Sequence, residues 1–190
     1  MGKLVVTEFI SLDGVIEDPG GAEGFKYGGW TFEFQTGEAF GAFKFGELMA
    51  SDAQLLGRVT YEGFAKAWPT MEGTGEFGEK MNSMPKYVVS STLTEPTWEN
   101  TTVLSGDLTS EVQALKDRYA GDILVAGSAR LVQGLLERDL VDELRLMVFP
   151  VVLGTGKRLF GEAGDKKRFS RSESLELGDG VVVTTLTRNR

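Results

Sequence analysis

The chain of 190 residues contains neither cysteine nor histidine, and the two absences exclude several kinds of site. Without cysteine the protein cannot form a disulfide, a zinc–thiolate centre or a cysteine nucleophile, and without histidine it cannot form a Ser-His-Asp triad. A metal ion would need oxygen ligands alone, and we expect none. Proton transfer must therefore use Asp, Glu, Lys, Tyr or water.

Long apolar runs and an excess of positive charge are missing too. No run approaches the roughly 20 residues that a membrane span requires. The N-terminal apolar stretch is interrupted by Thr7 and Glu8 and no cleavage site follows, so it predicts a strand and we expect a cytoplasmic protein. The net charge of −8 disfavours a nucleic-acid or anionic-membrane surface, but it allows a pocket for a small phosphorylated molecule.

Apolar periodicity predicts one α/β domain over residues 1–190, because strand-like and helix-like segments alternate for three quarters of the chain. The expected strands are 3–12, 53–56, 86–90, 102–104, 123–125, 143–152, 169–177 and 181–187. The expected helices are 37–50, 61–68, one marked by Val112, Leu115 and Tyr119 with Ser110 or Asp107 as its cap, and 128–136. The expected loops are 17–29 and 70–85. This order predicts a three-layer α-β-α fold, with a mostly parallel mixed sheet and a C-terminal antiparallel hairpin.

The stretch from Asp122 to Leu136 reads as a buried strand, a turn at Gly127 and an amphipathic helix. The Ser128 hydroxyl is expected to cap that helix by accepting a hydrogen bond from a backbone N–H. A helix that starts directly after a strand presents free N–H groups and the positive end of its dipole, which favour phosphate. An ordinary strand-turn-helix, with Gly127 serving only the turn, is an equally good interpretation.

Three predicted strands end in small or polar residues, and ligands of open α/β sheets bind beyond such carboxyl ends. The three ends are Gly57-Arg58-Val59-Thr60, Ser90-Ser91-Thr92 and Ala126-Gly127-Ser128. Arginine forks and serine hydroxyls suit phosphate oxygens, so the set predicts a clamp for a ligand with more than one phosphate. A surface salt bridge for Arg58 and a plain strand end for Ser90-Ser91 are the alternatives.

Five segments, in this order along the chain, resemble the dihydrofolate-reductase-like superfamily, and especially stand-alone relatives of the reductase domain of riboflavin biosynthesis. The segments are Ser11-Leu-Asp-Gly14, Leu55-Leu-Gly-Arg-Val-Thr-Tyr-Glu62, Lys86-Tyr-Val-Val-Ser-Ser91, Val125-Ala-Gly-Ser128 and Pro150-Val-Val-Leu-Gly-Thr-Gly-Lys-Arg-Leu-Phe160. The resemblance implies a sheet of about eight strands, a homodimer and a site for NADPH.

The resemblance also implies roles for individual residues. Arg58 and Ser91 would contact the adenosine 2′-phosphate, and Thr60 with the amides of Gly127, Ser128 and Ala129 would hold the pyrophosphate. The segment from Asp13 to Ile16 would border the nicotinamide. Leu153, Gly154 and Gly156 would line the substrate side. The acidic residue with which dihydrofolate reductases bind the pterin falls near Gln35 here, so a folate substrate is not expected.

The sequence thus predicts an NADPH-dependent reductase that moves a hydride to a C=N or C=O carbon of a small pyrimidine- or pterin-related or sugar-bearing substrate. Asp13 is the predicted proton-handling or substrate-contacting group, with a turn before Gly14 as its alternative role. A flavin-using reductase and a non-catalytic ligand-binding member of the same fold are the rival hypotheses. The apolar strands after Glu143 and the closing hairpin, with Val181 and Val183, also predict a homodimer.

Overall fold

The computed structural model describes residues 1–161 and 165–189, and its centre is a single eight-stranded sheet. The strands are β1 (Leu4–Ser11), β2 (Ser51–Gly57), β3 (Lys86–Val89), β4 (Thr101–Leu104), β5 (Asp122–Val125), β6 (Glu143–Phe149), β7 (Phe169–Gly178) and β8 (Val181–Arg188). Their spatial order is β4-β3-β2-β5-β1-β6-β8-β7. Strands β4 to β6 in this order pair in parallel, whereas β8 pairs antiparallel with both β6 and β7.

Helices cover both faces of the sheet, as the apolar periodicity predicts. They are α1 (Gly37–Met49), α2 (Arg58–Ala67), α3 (Gly75–Ser83), α4 (Leu108–Arg118) and α5 (Ala129–Glu137), with short 3-10 helices at Trp30–Glu33 and Trp68–Thr70. Helices α4 and α5 bury Val112, Leu115, Val132 and Leu135 in one core cluster. Residues of α1, α2 and α3 pack in another cluster with apolar side chains of β1, β2, β3 and β5. The predicted fold class is confirmed.

Several boundaries differ from the sequence prediction, and two of the differences have a clear local reason. The predicted loop 70–85 contains α3, because Phe77 and Met81 lie four residues apart and pack against the core despite several glycines. Strand β6 ends at Phe149 and not at residue 152, since the following Pro150 has no N–H to donate. Helix α2 begins three residues earlier than predicted, directly after β2. Within the described residues, no helix has both the length and the apolar character needed to cross a membrane.

Candidate active site

A cavity of about 700 Å³ opens where β1 and β5 separate. Strand β1 pairs with β5 only over Leu4–Val6, but it continues along β6 as far as Ser11. Beyond Val6 the main chain of β1 therefore loses its neighbour on the β5 side, and side chains from β1, α1, α2, α5 and residues 16–23 line the resulting gap. The cavity lies at the carboxyl end of the parallel strands, where ligands of such sheets bind.

Two helix N-termini meet beside this cavity. Helix α2 starts directly after Gly57, and α5 starts directly after Ser128. The two starts touch, because a Cβ added to Gly57 would lie only 2.3 Å from the Ser128 Oγ. Thr60 lines the cavity from α2, and its Oγ1 would be 3.0 Å from a Cβ at Gly127. Free N–H groups and two dipole ends converge here, which is the arrangement that stabilises an anionic ligand.

The expected cap at Ser128 is not formed. Ser128 occupies the N-cap position of α5, but among the described residues its hydroxyl makes no capping hydrogen bond and lies against Gly57 instead. The peptide bond between Gly127 and Ser128 is cis, and Gly127 has a φ of 75°. Gly57, the N-cap of α2, has no side chain to cap with. The first amides of both helices are thus left for other partners.

The predicted phosphate residues separate into two sets. Gly57, Thr60, Gly127, Ser128 and Ala129 are brought together at the paired helix starts. Arg58 is exposed at the first position of α2, with its Nη1 2.8 Å from the Glu62 Oε1 one turn further on. On the neighbouring strand end, the Ser90 Oγ accepts hydrogen bonds from the amides of Thr92 and Leu93, and Ser91 is exposed. This outer set is solvent-facing, whereas the inner set borders the cavity.

Asp13 anchors a loop. Its carboxylate accepts hydrogen bonds from the amides of Leu153 and Gly154, at 3.1 and 2.8 Å, and from the Ser11 hydroxyl at 2.7 Å. Desolvation raises the pKa of Asp13, but these hydrogen bonds outweigh it and lower the pKa to about 2. Asp13 is therefore a carboxylate near neutral pH, with no proton to donate. Its contacts favour the turn-anchoring role over the proton-handling role.

The predicted substrate residues are placed unevenly. Ile16 is buried in the cavity wall. Gly156 packs beside Val15, since an added Cβ would lie 2.6 Å from the Val15 Cγ1, and it precedes Lys157 of the wall. Gln35 is exposed, and its backbone N–H donates to the Asp179 carboxylate of the β7–β8 turn at 2.7 Å. The structure therefore joins Gln35 to the hairpin and not to the lining.

Sequence reasoning missed the most unusual side chain of the cavity, Glu8. Glu8 lies in the middle of β1 and is only 8% exposed, and its Oε1 has no hydrogen-bond partner among the described residues. Burial raises the pKa of Glu8 to about 8, although a hydrogen bond from the Gly127 backbone and the charge of Lys44 act in the opposite direction. The signal was present in the sequence, as a lone acid inside an apolar strand.

A second polar group fixes the roof of the cavity. The Glu47 Oε2 of α1 accepts hydrogen bonds from the Thr7 hydroxyl at 3.0 Å and the Lys44 ammonium at 2.5 Å. The Arg145 guanidinium of β6 lies 3.6 Å from the Glu47 Oε1, and it also pairs with Asp122. This buried network ties α1 to three strands and places two cations beside the Glu47 carboxylate.

The remaining wall is largely apolar and aromatic. It comprises Phe9, Phe40, Leu48, Phe64, Trp68, Phe77, Met81, Leu124 and Met147. Aromatic faces suit a flat ring, and the polar groups of the lining can fix its orientation. The arrangement can thus hold an anion at the helix starts and a planar group against the aromatic side chains.

The sheet order, the cavity between β1 and β5 and the paired helix starts define a dihydrofolate-reductase-like protein. The RibD C-terminal domain family matches residues 2–183, and the chain belongs to this family. It is 32% identical over 135 residues to YyaP, an uncharacterized protein of Bacillus subtilis strain 168, with 69% of this chain and 71% of YyaP covered.

Solved structures share the same fold. A proposed riboflavin biosynthesis protein from Shewanella sp. PV-4 is 25% identical with a TM-score of 0.76, and both chains are covered completely. Dihydrofolate reductase from Enterococcus faecalis, solved with NADP(H) and RAB-propyl, is 19% identical with a TM-score of 0.60, covering 100% of this chain and 98% of that one. The second likeness concerns the fold alone.

Proposed function

We propose that this protein is an NADPH-dependent reductase acting on a C=N or C=O carbon of a small heterocyclic or sugar-bearing substrate. The observation that carries the proposal is the contact between the starts of α2 and α5 at Gly57 and Ser128, beside a cavity with an aromatic wall. Membership of the RibD C-terminal domain family and the likeness to a reductase solved with NADP(H) support the same activity.

The paired helix starts fit a dinucleotide. A side chain at Gly57 would fill the space between the helices, and Gly127 lets the chain pass close to Thr60. The amides of Gly127, Ser128 and Ala129 would hold the pyrophosphate together with Thr60, and Arg130, which lines the cavity, adds a positive charge. Arg58 and Ser91 would contact the 2′-phosphate from the solvent side. When bound, NADPH supplies the hydride.

The aromatic wall would receive the substrate. A planar heterocycle could lie against Phe40 and Trp68, with Ile16 and Lys157 also in the lining. Asp13 would contribute by holding Leu153 and Gly154 in place, in the segment that leads to Lys157 of the lining. A substrate contact through Gln35 stays a prediction, and its exposed position at the hairpin does not favour it.

Fluorescence titration with NADPH tests the proposal, because Trp68 lies in the cavity wall and should report binding. Saturable binding below 1 mM is expected. Arg58→Ala should weaken NADPH binding about ten- to a hundredfold and leave NADH binding nearly unchanged, since a charge-assisted contact contributes roughly 1.5–3 kcal/mol. Lys66→Ala, an exposed cation at the other end of α2, is the matched control.

Other results would change the assignment. No saturable NADPH binding would refute the reductase. Equal weakening of NADPH and NADH by Arg58→Ala would mean that the phosphate site is misplaced. A yellow chromophore on the purified protein would favour the flavin-using reductase, and NADPH binding without turnover would favour the non-catalytic alternative.

We also propose a homodimer. Strand β7 forms one edge of the sheet, is exposed along most of its length and carries the half-exposed Leu175. Such an edge tends to pair or to be covered. Light scattering at micromolar concentration should give twice the chain mass, and a monomer mass would rule the dimer out. The cytoplasmic location likewise stays a prediction, which cell fractionation can test.

A further inference from the structure

Glu8 combines three properties that a structural carboxylate rarely has together. It is buried, it borders a cavity large enough for a ligand, and its Oε1 has no partner within the described part of the chain. The Glu8 Oε1 would lie 3.8 Å from a Cβ at Gly127, so it adjoins the turn that opens α5. An unpaired carboxyl in such a place costs stability, and its retention therefore points to a use.

We propose that Glu8 is the general acid of the reductase, donating its proton to the substrate nitrogen or oxygen as the neighbouring carbon accepts a hydride. This inference rests on the proposed function and deepens it. The proposed proton donor is thus a side chain of β1. It lies beyond Val6, where β1 no longer pairs with β5 and borders the cavity.

The step balances without a further reagent. As the carbon of the C=N or C=O bond gains the hydride, the π electrons move to the nitrogen or oxygen, which takes the proton from Glu8. The O–H bond of Glu8 breaks, an N–H or O–H bond forms, and solvent protonates the Glu8 carboxylate again. The hydride comes from NADPH, which is oxidised to NADP⁺.

Of the four other carboxylates in the described cavity lining, three are committed elsewhere, and the fourth, Glu23, is exposed to solvent. Glu47 is paired with Lys44, and Glu17 pairs with Lys157 at 2.7 Å. Asp18 accepts hydrogen bonds from the amides of Ala22, Glu23 and Phe25. Among the described residues Glu8 has no such ion pair, its Oε1 accepts no hydrogen bond, and Lys44, the cation that acts on it, is already paired with Glu47.

The surroundings of Glu8 also suit a proton donor near neutral pH. Lys44 of α1 is the charged group that acts on Glu8, while β6 places apolar Leu146 beside it. Gly127, in the turn before α5, lies on another side of Glu8, and Thr60 of α2 adjoins Gly127. Burial outweighs the attraction of Lys44, so the pKa of about 8 keeps the acid protonated at pH 7.

Infrared difference spectroscopy provides a readout that needs no substrate. The protein at pH 6 should show the C=O band of a protonated carboxylic acid, and the band should disappear in a one-proton step near pH 8. Glu8→Gln should lack the band. Glu95→Gln, which changes an exposed loop glutamate, should retain it. If wild type and Glu8→Gln give the same spectrum at pH 6, Glu8 is not a protonated acid and the proposal fails.

Kinetics then separate an acid from a structural residue. NADPH oxidation would be followed with two probes. One is 7,8-dihydropterin, which is a cyclic imine, and the other is a small aldose. Glu8→Gln should lower kcat about 10²- to 10⁴-fold, leave the Kd for NADPH within about threefold, and remove the fall of kcat above pH 8. Glu8→Asp, which keeps the acid on a shorter side chain, should recover part of kcat, and Glu95→Gln should match wild type.

The outcomes distinguish the role of Glu8 from the proposed reductase activity. Turnover by Glu8→Gln with wild-type kcat and pH profile overturns the role of Glu8 and leaves the reductase standing. Failure of wild type to bind NADPH, or binding without turnover of any probe, refutes the proposed reductase itself. In that event the infrared result still decides whether Glu8 is a protonated acid.

Discussion

The stability of this protein should fall as the pH rises from about 4.5 to 8, and Glu8 should be a main cause. In the unfolded chain a glutamate ionises near pH 4.5, whereas folding raises the pKa of Glu8 to about 8 through burial. Between these values the folded state binds the additional proton, so raising the pH favours unfolding. Above pH 8 both states are ionised and the effect is constant.

The size of the effect follows from the pKa difference. One pKa unit corresponds to 1.36 kcal/mol, so the folded state loses about 5 kcal/mol between the two limits. This is a large fraction of the roughly 5–15 kcal/mol by which domains are stable. Glu8→Gln cannot ionise, and its free energy of unfolding should therefore gain on wild type by about 1.4 kcal/mol per pH unit within the window.

Urea unfolding of wild type and Glu8→Gln at half-unit steps from pH 4.5 to 9 measures this difference directly. Taking the difference cancels the titration of all other groups. The amide of the variant adds a constant offset, because its N–H donors face the cavity unpaired, but an offset does not change with pH. A difference that stays flat across the window would refute the raised pKa of Glu8, and Glu95→Gln should give a flat difference.

Three further substitutions test other contacts. Burial lowers the pKa of Lys86 to about 8, so between pH 8 and 10.5 the unfolded chain binds the additional proton and the free energy of unfolding of wild type should rise with pH. Lys86→Met should abolish this contribution. Paired urea titrations across that range would show the difference, and parallel curves would contradict it. Asp13→Ala should speed hydrogen exchange at the Leu153 and Gly154 amides and cost about 1–2 kcal/mol above pH 4, whereas unchanged exchange would deny the anchor. Gly127→Ala should weaken NADPH binding more than tenfold in a fluorescence titration, since the added Cβ meets the Thr60 Oγ1 at 3.0 Å; Gly73→Ala, with nearly the same φ and open space around it, should not.

The sequence alone was sufficient for the fold because its strong signals are local. Apolar runs and 3.6-residue periodicity specify most strands and helices, and Asp107, one of the two predicted caps of α4, accepts a hydrogen bond from the Ser110 amide. Helix α3 escaped detection because Gly75 and Gly78 lower its propensity. Its stability comes from the packing of Phe77 and Met81 against Trp68 and the core, which no local pattern reveals.

The site was predictable only where it follows from strand ends. Gly57 ends β2 and Gly127 lies two residues after the end of β5, so the parallel pairing of these strands brings both glycines to the carboxyl end of the sheet. Glu8 is different, because its exposure to the cavity depends on where β1 and β5 cease to pair. A prediction that considers only strand ends misses a site residue in the middle of a strand, as Glu8 is in β1. The lone acid in an apolar run was the available signal, and only burial gives that signal its meaning.

The unpaired polar atoms also indicate where in the molecule a ligand binds. Four buried side-chain atoms lack a hydrogen-bond partner among the described residues, and three of them belong to residues of the cavity wall: the Oε1 atoms of Glu8, Glu47 and Gln54. Each such atom costs roughly 1–3 kcal/mol of folding free energy, so native proteins contain few of them. Three in the wall of one cavity are therefore not expected by chance. A ligand that brings donors to these oxygens recovers that free energy on binding. The cavity between β1 and β5 is therefore where the fold gives up stability, and where we expect the chemistry to occur.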